Sequence, residues 1–354
     1  MLNAGDRVGD YEVLQRLGGG GIGEVYRARH CTQTGSIVAL KVLHQHYAEH
    51  PEVAARFARE AKATQLLAHP YIVQVHEYVQ LPNSYAFIVM ENLSGENLYE
   101  FIKHERGGLP LAQIIAIFRQ LVSALDYAHH AGVIHRDLKL SNVMVCEALG
   151  KYQESLRIKL LDFGIAKAIG ADFTDIGTSN QSIMGTYEYM PPEQFRDASS
   201  VTERSDVYSL GVMLYCCLTG SPPFKSEPSA DHNAELLYYH HAHTTQNPPP
   251  LPETVPVPVR RLVVQMLGKD PAARPSMADV GQALVALEQQ VAPSEASTRP
   301  GAAPLGSLLA QPEPARLGQR FLPTTTSRST AAWMAFAIIA LVWAVVATVL
   351  LIRS

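Results

Sequence analysis

Eight consecutive residues, His135 to Asn142, place a carboxylate, basic side chains and an amide within the single stretch H-R-D-L-K-L-S-N. An apolar helical pattern over 114–128 precedes this stretch, and an apolar strand pattern over 143–145 follows it. Twenty residues after Asn142 comes Asp162, the first residue of the triplet D-F-G. Phosphoryl transfer needs one carboxylate near the acceptor hydroxyl, and an amide with a second carboxylate to hold a divalent cation. The spacing of these residues is therefore typical of a phosphoryl-transfer site.

A glycine-rich stretch lies near the N-terminus, where glycines 18, 20 and 23 fit the pattern G-x-G-x-x-G. A Walker A loop requires Lys directly after the last glycine, and this chain has Glu24 there. A dinucleotide-binding fold requires a helix next, but alternating patterns predict strands over 11–17, 25–28 and 36–43. A glycine loop between strands suits a phosphate cover, because its backbone N–H groups can approach the phosphates closely. The second strand after the loop carries V-A-L-K, which ends at Lys41.

These motifs together resemble those of the eukaryotic-like (Hanks-type) protein kinases, and more narrowly their bacterial serine/threonine members. The resemblance implies an α+β, two-lobed fold: a small antiparallel β-sheet with one main helix, followed by a mostly helical lobe. The helical pattern over 51–68 supplies that main helix. We expect residues 1–10 to be an N-terminal extension, 11–288 the kinase domain, 289–330 a flexible linker rich in Pro, Ala and Ser, and 331–352 a transmembrane helix.

The resemblance also assigns site residues and ligands. ATP is the expected cofactor, together with Mg²⁺ or Mn²⁺, and the expected substrates are Ser/Thr hydroxyls of proteins. Asp137 would accept the proton of the substrate hydroxyl, Lys139 would offset charge on the γ-phosphate, and Asn142 and Asp162 would bind the metal. Lys41, paired with Glu60, would contact the α- and β-phosphates. Backbone groups of Glu91 and Leu93, which follow a gatekeeper Met90, would hold the adenine. The remaining nucleotide-binding residues would be those of the glycine-rich loop: Leu17, Gly18, Gly19, Gly20, Gly21, Ile22, Gly23, Glu24 and Val25.

Residues 162–193 are interpreted as an activation segment that ends in P-P-E at Glu193. Its polar middle holds four candidate phosphorylation sites: Thr174, Thr178, Ser179 and Ser182. Arg136 would receive a phosphate placed on this segment, because a phosphorylated hydroxyl beside an arginine gains charge-assisted hydrogen bonds. Autophosphorylation at one or more of the four sites is the expected mode of activation.

The resemblance assigns structural roles to three further residues. Asp206 would hold the backbone of the 135–142 stretch, and Arg274 would pair with Glu193. Two local patterns receive simpler interpretations. Three histidines at 240, 241 and 243 are expected to be solvated helix residues, and Cys216 and Cys217, within an apolar run, are expected to be core residues.

Composition narrows the function classes. Lys and Arg total 29 against 33 Asp and Glu, a net charge of -4, which gives no indication of nucleic-acid binding. The four cysteines show neither metal-ligand spacing nor a disulfide framework, which fits a reducing compartment. Residues 1–10 lack the apolar core of a signal peptide.

Residues 331–352 contain no charged side chain and are long enough, at about 33 Å as a helix, to cross a bilayer core. Arg316, Arg320 and Arg328 precede this run and only Arg353 follows, which favours a cytoplasmic side before the helix. We therefore expect a single-pass inner-membrane protein with a cytoplasmic kinase domain, a C-terminal anchor and no domain beyond the bilayer. Small residues every four positions, at 340, 344 and 348, could pair two such helices in a homodimer.

Two other function classes have sequence requirements that differ from those of an active protein kinase. A scaffolding pseudokinase would bind nucleotide or partners without turnover, but it would not need the complete set of catalytic residues that this chain carries. A small-molecule phosphotransferase would not need the activation segment and Arg274, which protein kinases use to build a peptide platform.

Overall fold

The computed structural model describes residues 1–33, 35–81, 85–105, 108–146, 156–164, 187–227 and 232–291. The chain divides into two compact units, Met1–Glu295 and Ala296–Ser354, and all described residues belong to the first. Its strands are β1 (Arg7–Val8), β2 (Tyr11–Gly20), β3 (Gly23–His30), β4 (Ile37–Leu43), β5 (Val75–Gln80), β6 (Ala86–Glu91), β7 (Gly95–Asn97), β8 (Val143–Cys146) and β9 (Arg157–Leu160). Its helices are α1 (Gln45–Ala48), α2 (Pro51–Gln65), α3 (Leu98–His104), α4 (Leu111–His130), α5 (Pro192–Arg196), α6 (Glu203–Thr219), α7 (His232–Thr245), α8 (Val257–Met266) and α9 (Met277–Val291).

The N-terminal lobe is an antiparallel sheet with the strand order β1-β2-β3-β4-β6-β5. One face buries an apolar cluster that includes Val13, Leu40 and Phe87. The other face packs against α2 through a second cluster, to which the helix contributes Val53 and Phe57. The sheet and its main helix have the predicted arrangement.

Residues 1–10, which we expected to be an extension outside the kinase domain, contribute to this sheet. The short strand β1 pairs with β2, and Val8 is buried against the sheet. The Leu2 backbone N–H donates a hydrogen bond to the Tyr26 hydroxyl at 3.1 Å. The first ten residues therefore belong to the folded lobe.

The C-terminal lobe is built around α6, in which every residue from Ser205 to Cys217 is buried. A helix buried on all sides shows no amphipathic stripe, which explains the continuous apolar pattern of this segment. Its ends follow ordinary capping chemistry: Thr202 and Ser205 form a capping box, and Gly220 closes the helix with a φ of 78°. Cys216 and Cys217 are core residues, as predicted.

Helix α4 is the one helix of the described residues whose length of 20 residues and apolar composition would suffice to cross a membrane. Half of it is buried, and its inner face includes Ile114, Phe118, Leu121 and Leu125 of the C-lobe core. This face accounts for the apolar pattern of α4. The predicted span at 331–352 lies outside the described residues.

One prediction about this lobe is wrong. His243 is fully buried rather than solvated, and its Nδ1 lies 2.8 Å from the Tyr208 hydroxyl. Burial lowers the pKa of His243 to about 3, so its ring is neutral. His240 and His241 are exposed, as predicted.

Candidate active site

The cleft between the lobes contains an ion-pair triad on which three elements converge. Lys41 on the central strand β4 places its Nζ 3.1 Å from Glu60 Oε1 and 2.9 Å from Asp162 Oδ1. Glu60 lies on the buried face of α2, together with Phe57, Ala61 and Thr64. The Lys41–Glu60 ion pair is therefore present, and Asp162 joins it from the other lobe.

The opposite charges of the triad stabilise one another, and the Lys41 and Glu60 side chains are buried. Burial on its own lowers the pKa of Lys41, but the charges of Asp162 and Glu60 outweigh burial and raise the pKa above its ordinary value. Burial raises the pKa of Glu60, although Lys41 opposes the shift. A cavity of about 10 Å³, room for about one water, lies behind the triad and is also lined by Met90. Lys41 is therefore held as a cation at the back of the cleft.

The catalytic-loop residues 135–142 place two polar side chains, those of Lys139 and Asn142, against the Asp137 carboxylate. Lys139 Nζ lies 3.2 Å from Asp137 Oδ2, and Asn142 Nδ2 lies 3.3 Å from the same oxygen. Asn142 Nδ2 also donates to the backbone carbonyl of Asp137 at 2.8 Å. Two donors on one oxygen fix the orientation of the carboxylate.

Asp206, at the start of α6, holds the backbone of this loop. Its carboxylate accepts hydrogen bonds from the N–H groups of His135 at 2.8 Å and Arg136 at 3.0 Å, as predicted. His129 Nε2 lies 2.7 Å from the same carboxylate, a contact that the sequence did not indicate. Arg136 has a φ of 65°, a region that costs a non-glycine residue free energy. The two hydrogen bonds to the Asp206 carboxylate stabilise that conformation.

The residues proposed as metal ligands belong to adjoining segments. The Leu161 N–H donates to the Asn142 carbonyl at 2.8 Å, and the Gly164 N–H donates to the His135 carbonyl at 2.7 Å. A Cβ on Gly164 would lie 2.8 Å from Asp137 Cβ, so the D-F-G triplet packs directly on the catalytic loop. Because Asn142 Nδ2 is engaged, its amide oxygen is the group left for a ligand. An amide oxygen and a half-exposed carboxylate fit a hard divalent cation.

The glycine-rich loop is the hairpin between β2 and β3, in which Gly20 pairs with Gly23. A Cβ on Gly23 would lie 2.3 Å from the Val42 carbonyl oxygen, so no larger residue fits there. Glu24 is buried and accepts hydrogen bonds from Arg16 Nε at 2.8 Å and from the Tyr26 hydroxyl at 2.7 Å. These contacts join the two strands at the base of the loop and restrain it.

The predicted nucleotide hinge begins where β6 ends. The Glu91 N–H is engaged by the Gln74 carbonyl at 2.9 Å, so any backbone contribution of Glu91 to adenine binding would come from its carbonyl. The Glu91 side chain accepts hydrogen bonds from Lys159 Nζ at 2.6 Å and from the Gln74 N–H at 2.7 Å. Leu93 follows two residues later with a partly exposed side chain. Lys159, on β9 just before Asp162, thus connects the predicted hinge to the segment of the predicted metal ligand Asp162.

Comparison with known proteins identifies this architecture. The protein kinase domain family matches residues 11–285. The chain belongs to the protein kinase family. It is 38% identical over 281 residues to the serine/threonine-protein kinase pkn3 of Myxococcus xanthus, a match that covers 77% of this chain and 49% of pkn3. It is 37% identical over 272 residues to the serine/threonine-protein kinase PknD of Mycobacterium tuberculosis, covering 76% of this chain and 38% of PknD.

Solved structures agree with the sequence comparison. The PknI kinase domain of Mycobacterium tuberculosis superposes with a TM-score of 0.59 at 25% identity, covering 81% of this chain and 99% of that domain. The chain is thus similar to bacterial serine/threonine-protein kinases in both sequence and fold. It spans about half of the length of pkn3 and less than half of PknD.

Several predicted residues of the kinase domain lie outside the described part of the chain. The four candidate phosphorylation sites, Thr174, Thr178, Ser179 and Ser182, are among them. The end of the activation segment is described. Glu193 pairs with Arg274 through two hydrogen bonds at 2.7 and 2.8 Å, as predicted, and Ser205 donates to Glu193 at 2.6 Å.

The contact between Lys159 and Glu91 should stabilise the hinge. Lys159→Met keeps the apolar stem but removes the charge, so the unfolding free energy should fall by about 1–2 kcal/mol. The KM for ATP should rise several-fold while kcat changes less, because the hinge is affected and the catalytic loop is intact. Denaturant melts and steady-state kinetics measure both effects. Lys103→Met, an exposed lysine on α3, is the matched control and should change neither. An unchanged KM for ATP in Lys159→Met would contradict this role of Lys159.

Proposed function

We propose that this chain is a protein serine/threonine kinase that transfers the γ-phosphate of ATP to Ser and Thr hydroxyls of proteins. The observation that carries the proposal is the convergence of the buried Lys41–Glu60–Asp162 triad with Asp137 and its neighbours in one cleft. Family membership supports the same reaction class. An intact triad beside an oriented carboxylate favours turnover over a scaffolding role.

The side chains would act by positioning ATP and the acceptor hydroxyl and by neutralising charge on the phosphates. Lys41 would contact the α- and β-phosphates, and Glu60 keeps its ammonium group in place. Asp137 would orient the acceptor hydroxyl and accept its proton at the carboxylate. Lys139, already 3.2 Å from Asp137, would offset the negative charge of the γ-phosphate. A divalent cation held by Asn142 and Asp162 would neutralise charge on the phosphates.

The proposed function is tested by transfer of labelled phosphate from ATP to a protein acceptor such as dephosphorylated casein. The full-length chain should label the acceptor in the presence of Mg²⁺ or Mn²⁺. Nucleotide binding is measured separately by displacement of a fluorescent ATP analogue. Binding without any transfer would favour the scaffolding alternative and would contradict the proposed function.

The proposal includes activation by autophosphorylation within residues 174–182. What supports it is Arg136, which lies beside Asp137 and has no hydrogen bond from its guanidinium to another described side chain. A phosphate on the segment would gain charge-assisted bonds from this arginine.

A variant with Ala at all four candidate positions tests this mode of activation. Its activity toward an added protein acceptor should fall about tenfold or more. The reason is that no phosphorylated Ser or Thr of the segment could bind the Arg136 guanidinium and order the segment. Arg136→Gln should produce a loss of the same kind that is not additive with the four replacements. A wild-type initial rate in the variant with four Ala substitutions would contradict activation by autophosphorylation of this segment.

We also propose that residues 331–352 anchor the protein in the inner membrane, with the kinase domain in the cytoplasm and a role in signal transduction. The uncharged 22-residue run and the arginines before it support this topology. ATP chemistry requires the same cytoplasmic side. Pairing of two such helices in a homodimer remains a prediction from the small residues of the run.

Deletion of residues 331–352 should move the protein from the membrane fraction to the soluble fraction. The apolar run is the feature of the sequence expected to span the bilayer, so its loss should abolish carbonate-resistant membrane association. The matched control deletes 22 residues from the predicted linker, 300–321, and should stay in the membrane. Membrane association of the 331–352 deletion would contradict the anchor.

A further inference from the structure

A series of hydrogen bonds crosses the N-terminal lobe on the face of the sheet that does not pack against α2, and it ends at the glycine-rich loop. The Leu2 backbone N–H donates to the Tyr26 hydroxyl at 3.1 Å. That hydroxyl donates to Glu24 Oε2 at 2.7 Å, and Arg16 Nε donates to the same oxygen at 2.8 Å. The N-terminal segment, residues 1–10, is thus connected to the loop through the Tyr26 hydroxyl.

The ionisation state of Glu24 fixes the direction of these bonds. The hydrogen bond from Arg16 lowers the pKa of Glu24, burial acts against it, and the bond from Tyr26 lowers the pKa further. The side chain is therefore a carboxylate, which only accepts hydrogen bonds. Because the Tyr26 hydroxyl gives its one proton to Glu24, a lone pair of its oxygen accepts the Leu2 N–H. Successive hydrogen bonds that run in one direction polarise and strengthen one another.

The two central members of the series are buried. Tyr26 is 2% exposed and Glu24 is 6% exposed, and the Tyr26 ring belongs to the apolar cluster on this face of the sheet. A buried polar group that loses its partner is not easily solvated again, so each broken bond leaves a costly unpaired group. The series is therefore a stiff connection rather than a set of exchangeable surface contacts.

The Arg16–Glu24 ion pair lies directly against the backbone of the loop. Gly19 pairs with Glu24 across the hairpin. A Cβ on Gly19 would lie 2.9 Å from Arg16 Nη2 and 3.4 Å from Glu24 Cγ, whereas a Cβ on Gly18 or Gly20 would meet no described atom within 4 Å. Side-chain support for this part of the loop therefore comes from the ion pair at Gly19.

We propose that Tyr26 is a positioning residue for ATP, through which the N-terminal segment holds the glycine-rich loop in the conformation that binds the phosphates. Because Tyr26 is buried, it acts through Glu24 and the loop backbone and does not touch the nucleotide. When the series is broken, a smaller fraction of molecules holds the loop in the binding conformation, and the apparent Kd for ATP rises by the inverse of that fraction. The inference rests on the proposed ATP-dependent function.

Tyr26→Phe tests the connection, because it removes the hydroxyl and keeps the ring in the core. ATP and adenosine each displace a fluorescent ATP analogue from the full-length chain in detergent, and the Kd for adenosine divided by the Kd for ATP defines the ATP preference. The loop N–H groups approach the phosphates, which adenosine lacks, so the ATP preference should fall about fivefold. This ratio does not depend on the fraction of folded protein, so partial unfolding of the variant cannot imitate the result.

Tyr11→Phe is the matched control. Tyr11 belongs to the same apolar cluster, and its hydroxyl donates to Glu77 Oε1 at 2.8 Å. The variant therefore loses an equivalent hydrogen bond that is not part of the series. It should lose unfolding free energy in denaturant melts and keep the wild-type ATP preference.

Leu2→Pro tests the contribution of the N-terminal segment, because proline has no backbone N–H to donate. The ATP preference should fall about two- to threefold, less than in Tyr26→Phe because the bond between Tyr26 and Glu24 remains. Leu2→Ala, which keeps the N–H, should leave the preference unchanged. Added to Tyr26→Phe, the proline should have no further effect, since the hydroxyl that accepts the N–H is already absent.

The outcomes separate this role from the proposed function. A wild-type ATP preference in Tyr26→Phe, or an equal fall in Tyr11→Phe, would overturn the role of Tyr26. An equal effect of Leu2→Ala and Leu2→Pro, or full additivity of Leu2→Pro with Tyr26→Phe, would overturn the connection to the N-terminal segment. The expected differences in binding without any phosphate transfer would support the inference and contradict the proposed function. A wild-type chain that does not bind ATP would overturn both.

Discussion

Asp137→Asn should lower the rate of phosphate transfer by about 10²–10⁴, the range expected for loss of a general base. The substitution is isosteric, so the contacts to Lys139 and to the backbone can persist while the group that accepts the proton is lost. The thermal unfolding temperature and the Kd for ATP should stay close to the wild-type values. A large loss of kcat with a small change in nucleotide affinity is the signature of a residue that acts at the reacting atoms.

Asp126→Asn is the matched control for this variant. Asp126 lies on the exposed side of α4, and its substitution should leave the rate unchanged. Near wild-type turnover in Asp137→Asn would contradict the assignment of the base.

The Lys139→Met variant should also have a lower rate of phosphate transfer. That rate should change less with salt concentration than the wild-type rate does.

Lys41→Met should reduce both activity and stability. Turnover should fall by about two orders of magnitude or more, since a preorganised cation facing the phosphates is lost. The same change leaves Glu60, buried in the lobe, without its counter-ion, and removal of one partner of a buried pair costs about 3–5 kcal/mol. Denaturant melts measure the loss of stability, and single-turnover kinetics measure the loss of activity.

The double variant Lys41→Met/Glu60→Gln separates the two effects. Because the amide that replaces the Glu60 carboxylate carries no charge, most of the lost unfolding free energy should return, but the activity should not. If the double variant were as unstable as Lys41→Met alone, the unpaired carboxylate would not be the cause.

The stability of Lys41→Met should depend on pH in a defined direction. Burial holds the pKa of Glu60 above its ordinary value of 4.5, and loss of Lys41 removes the main opposing effect. An acid with a raised pKa binds more protons when folded, so it stabilises the fold at low pH and loses that contribution as pH rises through the folded pKa. The unfolding free energy of Lys41→Met should therefore fall as the pH rises above the ordinary Glu pKa of 4.5, more steeply than in wild type. The double variant should lack this steep fall.

The catalytic groups were predictable because their local patterns are informative. The 135–142 stretch and the D-F-G triplet each combine several functional residues within a few positions. The role of Lys41 was predictable because it ends the V-A-L-K motif on the second strand after the glycine-rich loop. The resemblance to a known family then supplied the pairing across 19 residues.

The contacts that the sequence missed join residues far apart in the chain. Lys159 alternates with the buried residues of β9 and has the pattern of an ordinary solvated lysine, but its partner Glu91 lies 68 residues away. His129, next to the exposed His130, gave no signal that it would bind Asp206, which is 77 residues away. His243 was predicted to be a solvated helix residue like His240 and His241, but it is buried in contact with Tyr208, 35 residues earlier in the chain. In each case tertiary packing decides the environment, and local periodicity does not record it.

The central claim is tested most directly by mapping the residues that become phosphorylated when phosphatase-treated full-length protein is incubated with ATP and Mg²⁺. We expect phosphate on Ser or Thr, concentrated within residues 174–182, in wild type and none in Asp137→Asn under the same conditions. Phosphate on tyrosine alone, or no phosphate on the chain or on an added protein despite ATP binding, would contradict the assignment as a serine/threonine protein kinase.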